Sequence, residues 1–161
     1  MLCPHLGNPR AKTRIERKES VRRTVSTMAA LSTRGKIYKT HVEGSVHSHD
    51  IVAMLEHLLR ALPDGFILVW DRGSVHRAKE VTEFLSAHPQ IVVEWLPAYA
   101  PELNPEEFLH GNIKQHLRNL LPHEKSEIRA HLNRSFARLR RRTDILLGCF
   151  HAAGLRIRRF F

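Results

Sequence analysis

Cysteine is almost absent from this chain: Cys3 and Cys149 sit near opposite ends, with no short-spaced partner for either. That excludes a disulfide framework and a cysteine-based zinc site, and it fits a reducing, cytoplasmic setting. Long apolar runs are lacking as well. The run from Phe66 to Trp70 is far too short to span a bilayer, and the N-terminus has no apolar stretch of the signal-peptide kind. The Arg-rich start could pass for an organelle transit peptide, yet Glu16 and Glu19 argue against one. Acid is the scarcer charge. With 26 Lys plus Arg against 16 Asp plus Glu, the formal charge is +10. Such a balance favours a polyanionic partner over an acidic small molecule, with nucleic acid ahead of an anionic membrane surface.

What is present is enough for one domain. A chain of 161 residues buries roughly 70% of its unfolded surface, so a core needs no staples. Residues 1–20 hold Pro4, Gly7 and Pro9, then mixed charges, and read as an extended or disordered basic segment. From Val21 to Ser32 and again from Lys36 to Val42 the sequence is β-rich, and Arg34-Gly35 between them predicts a hairpin. Ile51, Met54, Leu55, Leu58, Leu59 and Leu62 then recur at helical spacing, with Ser48 as the candidate cap and Pro63-Asp64-Gly65 as the stop. Phe66 to Trp70 reads as a strand buried on both faces. A helix over 75–87 and a strand over 91–96 follow. Asn104-Pro105 opens a further helix, expected to run to about Leu121, and a last one spans Glu124 to Arg142 with a strongly basic outer face.

Two acids stand out against this background. Asp71 closes the apolar run Phe66 to Trp70, and Glu107 opens a helix after the proline-punctuated loop Leu96-Pro97-Ala98-Tyr99-Ala100-Pro101-Glu102-Leu103-Asn104-Pro105. Cutting phosphodiesters at neutral pH calls for two hard divalent cations about 4 Å apart, and carboxylates are their natural protein ligands. A carboxylate at the C-terminal end of a strand projects into the crevice where ligands of open α/β sheets bind. Each acid also has a purely structural reading. Asp71 before Arg-Gly-Ser suits a turn, and Glu107 at the third helical position suits a capping box with Asn104.

The pair, taken with its surroundings, resembles the catalytic domain of transposases that cut DNA with an Asp-Asp-Glu triad, in the mariner-like group and its bacterial insertion-sequence relatives. In that group the second acid closes a strand and His follows five positions later, as with Asp71 and His76. The third acid follows Pro-x-Tyr-Ser-Pro-Asp-Leu-Asn-Pro-x-Glu, matched here by the loop from Pro97 to Glu107 with Ala100 and Glu102 substituted. The 35 residues between Asp71 and Glu107 agree with the family's spacing, and the resemblance covers roughly Val21 to Arg118.

The resemblance implies an α/β fold of ribonuclease H-like type, a mixed sheet flanked by helices, over residues 21–121. A basic helical extension would follow over 122–161. Asp71 and Glu107 would be catalytic metal ligands for two Mg2+ or Mn2+ ions, with His76 and Asn104 near the site. The reaction would be DNA cleavage and strand transfer. Arg138, Arg140, Arg141 and Arg142 form the basic run expected to meet DNA phosphates.

Departures weigh against full activity. Arg72 stands where the family usually has Asn, and the family's first acid, on the strand preceding the hairpin, has no counterpart: residues 1–20 contain no Asp. Asp50 begins a helix and reads as a first-turn acid. The family's helix-turn-helix region is also missing. The expectation is an N-terminally truncated transposase domain, nucleoid-associated in a bacterial cytoplasm and inactive in strand transfer alone. The alternative is a non-catalytic DNA-binding or dimerising remnant that regulates an intact transposase. Partnership with DNA, a second copy, an intact transposase or a missing N-terminal half is left open, and no membrane is involved. His47, His49 and Asp50 form a weak metal-like cluster best read as a loop. His110, His116 and His123 read as solvent- or phosphate-facing, and Trp70 and Trp95 as packing in or beside the core.

Overall fold

The computed structural model describes residues 24–118, 120 and 124–158. The segment 1–20, expected to be extended, lies outside the described residues, as do Leu121 and His123.

The hairpin forms where the β-rich residues predict it. Strand β1 (Val25–Leu31) pairs antiparallel with β2 (Ile37–Glu43), Val25 opposite Glu43 and Leu31 opposite Ile37. The Ser32 hydroxyl accepts hydrogen bonds from the backbone N–H groups of Arg34 and Lys36 and so closes the turn. Alternation gives the ribbon two apolar faces: Val25, Ala29, Leu31 and Ile37 pack one way, Met28, Ala30 and Tyr38 the other.

Helix α1 (Ser48–Ala61) buries Ile51, Met54, Leu55 and Leu58. Its cap is His47 rather than Ser48. The Asp50 carboxylate accepts from the His47 backbone N–H at 2.8 Å, while the Ser48 hydroxyl donates to Glu80 at 2.7 Å, so an acid three positions on decides the register of the helix start. Strand β3 (Phe66–Trp70) follows, then a 3₁₀ turn (Ser74–Arg77), helix α2 (Lys79–Ala87) and strand β4 (Ile91–Trp95), which lies parallel to β3. The helix predicted over 75–87 is thus broken. Ala78 takes an extended backbone, ψ 148°, and becomes the residue before α2.

The C-terminal part is helical: α3 (Pro105–Leu117), α4 (Lys125–Arg140) and α5 (Thr143–Ala152). Helix α3 stops short of the expected Leu121. The helix expected to reach Arg142 ends at Arg140, and α5 begins after a turn at Arg141 and Arg142. Leu132, Phe136 and Leu139 of α4 meet Leu109 and Ile113 of α3, Leu146 and Cys149 of α5, and the first face of the hairpin. Cys149 is a buried free thiol.

The strands do not join into one sheet. β1–β2 and β3–β4 are separate two-stranded ribbons. The buried face of α1 joins both in one apolar cluster with Met28, Ala30 and Tyr38 of the hairpin and Phe66, Leu68 and Trp70 of β3. The expectation that β3 is buried on both faces therefore fails. Ile67 and Val69 are 67% and 53% exposed, as is Val92 of β4 at 50%. The apolar run reflects a strand whose second face has no cover among the described residues.

Gly65 sets the entry into β3. Its φ is +94°, and a Cβ there would sit 2.4 Å from the Gln90 carbonyl oxygen that bonds the Phe66 N–H. Gly111, inside α3, has open space around a built Cβ. In urea titrations Gly65→Ala is expected to lose more than about 1 kcal/mol, and Gly111→Ala to gain about 0.5–1 kcal/mol.

Candidate functional site

Asp71 is placed by β3. The strand ends at Trp70, the chain turns at Gly73, and the break at Ala78 folds the 3₁₀ turn back toward the strand end. One oxygen of Asp71 accepts from the Gly73 N–H at 2.8 Å and from His76 Nδ1 at 2.8 Å. The imidazole lies flat on Trp70, centroids 4.3 Å apart and planes 9° from parallel, and Trp70 in turn meets Trp95 at 5.7 Å. His76 is thereby held between a buried indole and the carboxylate. It orients Asp71, whose side chain stays 59% exposed. Trp70 is core and Trp95, 38% exposed, sits at its margin. Sequence alone gave His76 as a neighbour of the acid but not the stacking that fixes it.

The second acid arrives with α3. Asn104 caps the helix, its side-chain oxygen accepting from the Glu106 N–H at 3.1 Å, with Pro105 in the first turn. Glu107 is exposed and Glu106 half-buried. Burial, then the neighbouring Glu107, with Asp71 also contributing, push the Glu106 carboxyl up to about 7 against the opposing pull of Lys114. β4 lies parallel to β3 with Trp95 opposite Trp70, so the loop that leads to α3 leaves from the end of the ribbon that carries Asp71. Glu106 also lies 3.1 Å from His110 Nε2, and burial together with Lys114 lowers the His110 pKa. Both shifts run toward the uncharged forms. His110 is therefore not solvent-facing. His116 is exposed, as expected, while its Nδ1 lies 2.8 Å from the buried Ser135 hydroxyl. Glu106 was overlooked in the sequence because the motif tolerates any residue there; a carboxylate one position before the expected acid was the available signal.

These residues do not complete a metal centre. Among the described residues no three His, Cys, Asp or Glu side chains come together to hold a metal ion. That applies equally to His47, His49 and Asp50, where the imidazoles stack at 5.7 Å and His49 approaches Asp50 at 3.5 Å. Asp71 and Glu107 supply the right donor type but too few donors for a two-ion site.

The arginines diverge. Arg142 makes a two-pronged pair with Asp144, at 2.8 and 2.6 Å, which holds the Asp144 carboxyl down at about 2. Arg138 is partly buried and its Nε has no hydrogen-bond partner, and Arg141 is exposed. Arg140 donates to the Ile37 carbonyl at 2.9 Å and joins Lys36, Lys39, Tyr38 and His57 around an open groove of about 690 Å³. Burial and the charge of Arg140 lower the Lys39 pKa. The hairpin lysines carry no sequence motif that would have joined them to the arginine run.

Among known proteins, the family model described as DDE superfamily endonuclease matches residues 5–129. The fold is similar to the crystal structure of the catalytic domain of Mos1 mariner transposase, with a TM-score of 0.63 at 19% identity, covering 83% of this chain and 76% of that one. It is also similar to the Mos1 transposase paired-end complex with left transposon end, with a TM-score of 0.58 at 16% identity, covering 99% of this chain and 52% of that one. The chain thus spans about half of that longer relative. No curated protein matches the sequence.

The raised Glu106 pKa has a definite sign for stability. Between the ordinary carboxyl value and about 7 the folded chain holds a proton that the unfolded chain releases, so stability falls as pH rises through that window. Glu106→Gln is expected to stabilise the protein at pH 8 by on the order of 2–3 kcal/mol. The gain should vanish by pH 4, as read by urea unfolding at both pH values.

Proposed function

The chain belongs to the DDE superfamily endonuclease family, and from that premise we propose that it is the DNA-engaging part of a transposase catalytic domain, with Asp71 and Glu107 as two of its metal-binding carboxylates. The observation that supports the reading is Asp71 at the end of β3, the same end of the parallel β3–β4 ribbon from which the loop to α3 and Glu107 departs. His76 holds Asp71 in place. Asn104 fixes the helix start on which Glu107 stands. In a complete site such carboxylates would bind Mg2+ or Mn2+, which supply the charge stabilisation that phosphodiester cleavage and strand transfer require.

DNA is the partner of choice. The net charge of +10 and the groove bearing Lys36, Lys39 and Arg140 support contacts to phosphates, as does exposed Arg141. No helix among the described residues is long and apolar enough to cross a membrane. The isolated chain is read as impaired in catalysis because residues 1–20 contain no Asp to match the family's first acid. The same shortfall favours the second reading, a remnant that binds DNA or an intact transposase without cutting.

A supercoiled plasmid incubated with the chain and Mg2+ or Mn2+ separates the possibilities. The expected result is a gel shift that weakens as salt rises, with no nicking. Metal-dependent nicking that disappears in Asp71→Ala would show the chain to be an active nuclease by itself.

A further inference from the structure

Tyr99 is the most exposed large side chain described, at 102% of its reference surface. It is also the one non-glycine residue among those described with a positive φ, +58°. For an L-residue that backbone costs on the order of 1–2 kcal/mol, and an aromatic ring left wholly in water returns nothing to the fold. The two unfavourable features coincide in the turn between β4 and α3, the connection that carries the chain from the end of the β3–β4 ribbon to Glu107. Pro97 and Pro101 flank the turn and restrict it, so the ring is presented on a stiffened loop. Strain concentrated at such a place points to a ligand outside the molecule.

We propose that Tyr99 stacks on an unpaired nucleobase of DNA held against the Asp71 and Glu107 end of the ribbon. This rests on the reading of the chain as DNA-engaging. A ring with both faces free offers a flat apolar platform, and every base has a face to match it, so the contact needs no sequence preference. The basic residues supply attraction along the backbone. Tyr99 supplies recognition of a base that has left the duplex stack.

The test compares a blunt duplex with the same duplex carrying a short single-stranded 3′ overhang that contains 2-aminopurine. Tyr99→Gly keeps the positive φ accessible and removes only the ring, and Tyr99→Phe keeps the ring and removes the hydroxyl. The expected result is that wild type and Tyr99→Phe bind the overhang substrate alike and quench the 2-aminopurine. Tyr99→Gly should bind the overhang about tenfold more weakly, without quenching, while its blunt-duplex affinity and urea midpoint do not fall. Equal overhang binding and quenching by wild type and Tyr99→Gly would overturn the stacking role and leave the DNA-engaging reading intact. Failure of the wild type to bind either substrate would overturn both.

Discussion

The apolar face of α1 is what makes one body of two ribbons that share no strand pairing. Ile51, Met54, Leu55 and Leu58 form one buried cluster with Trp70 and Val81, against which Met28, Ala30 and Tyr38 of the hairpin and Phe66 and Leu68 of β3 pack. Full burial of side chains of this kind contributes roughly 1.5–3 kcal/mol apiece, and this non-directional packing stands where ladder hydrogen bonds would ordinarily fix one strand beside the next. A two-stranded ribbon is marginal alone. Helix cover is therefore the condition for every other feature of the molecule, and the exposed Ile67, Val69 and Val92 mark the face that this cover does not reach.

The candidate site inherits that arrangement. Asp71 depends on β3 ending where it does, on the turn at Gly73, and on His76 pinned between Trp70 and the carboxylate. The first turn of α3 depends on Asn104 and Pro105 and on Leu109 and Ile113, which seat the helix in the second core. Asp71 thus stands at the end of the β3–β4 ribbon from which the loop to α3 departs.

Much of this was legible in the sequence. Period-two and period-three-to-four patterns located the hairpin, α1 and both parallel strands, because those residues each bury one consistent face. The loop from Pro97 to Glu107 identified the family through residue types that cap a helix and constrain a turn. Other features were not legible. The Phe66 to Trp70 run is equally apolar whether one face or two are covered, so the sequence could not reveal the bare face. The break at Ala78 has no proline or glycine to signal it. α5 was not resolved within the basic extension over 122–161, where Arg142 in fact pairs with Asp144 at the start of that helix. The roles of Lys36 and Lys39 depend on α4 lying across the hairpin, which no local pattern records.

Asp71 and Glu107 are the carboxylates we propose as metal ligands. Binding of Mn2+ to the isolated chain, followed by the loss of its free-ion electron paramagnetic resonance signal, tests this most directly. The predicted result is weak, millimolar binding that diminishes in Asp71→Asn. Tight binding of two ions per chain, abolished by the same substitution, would contradict it.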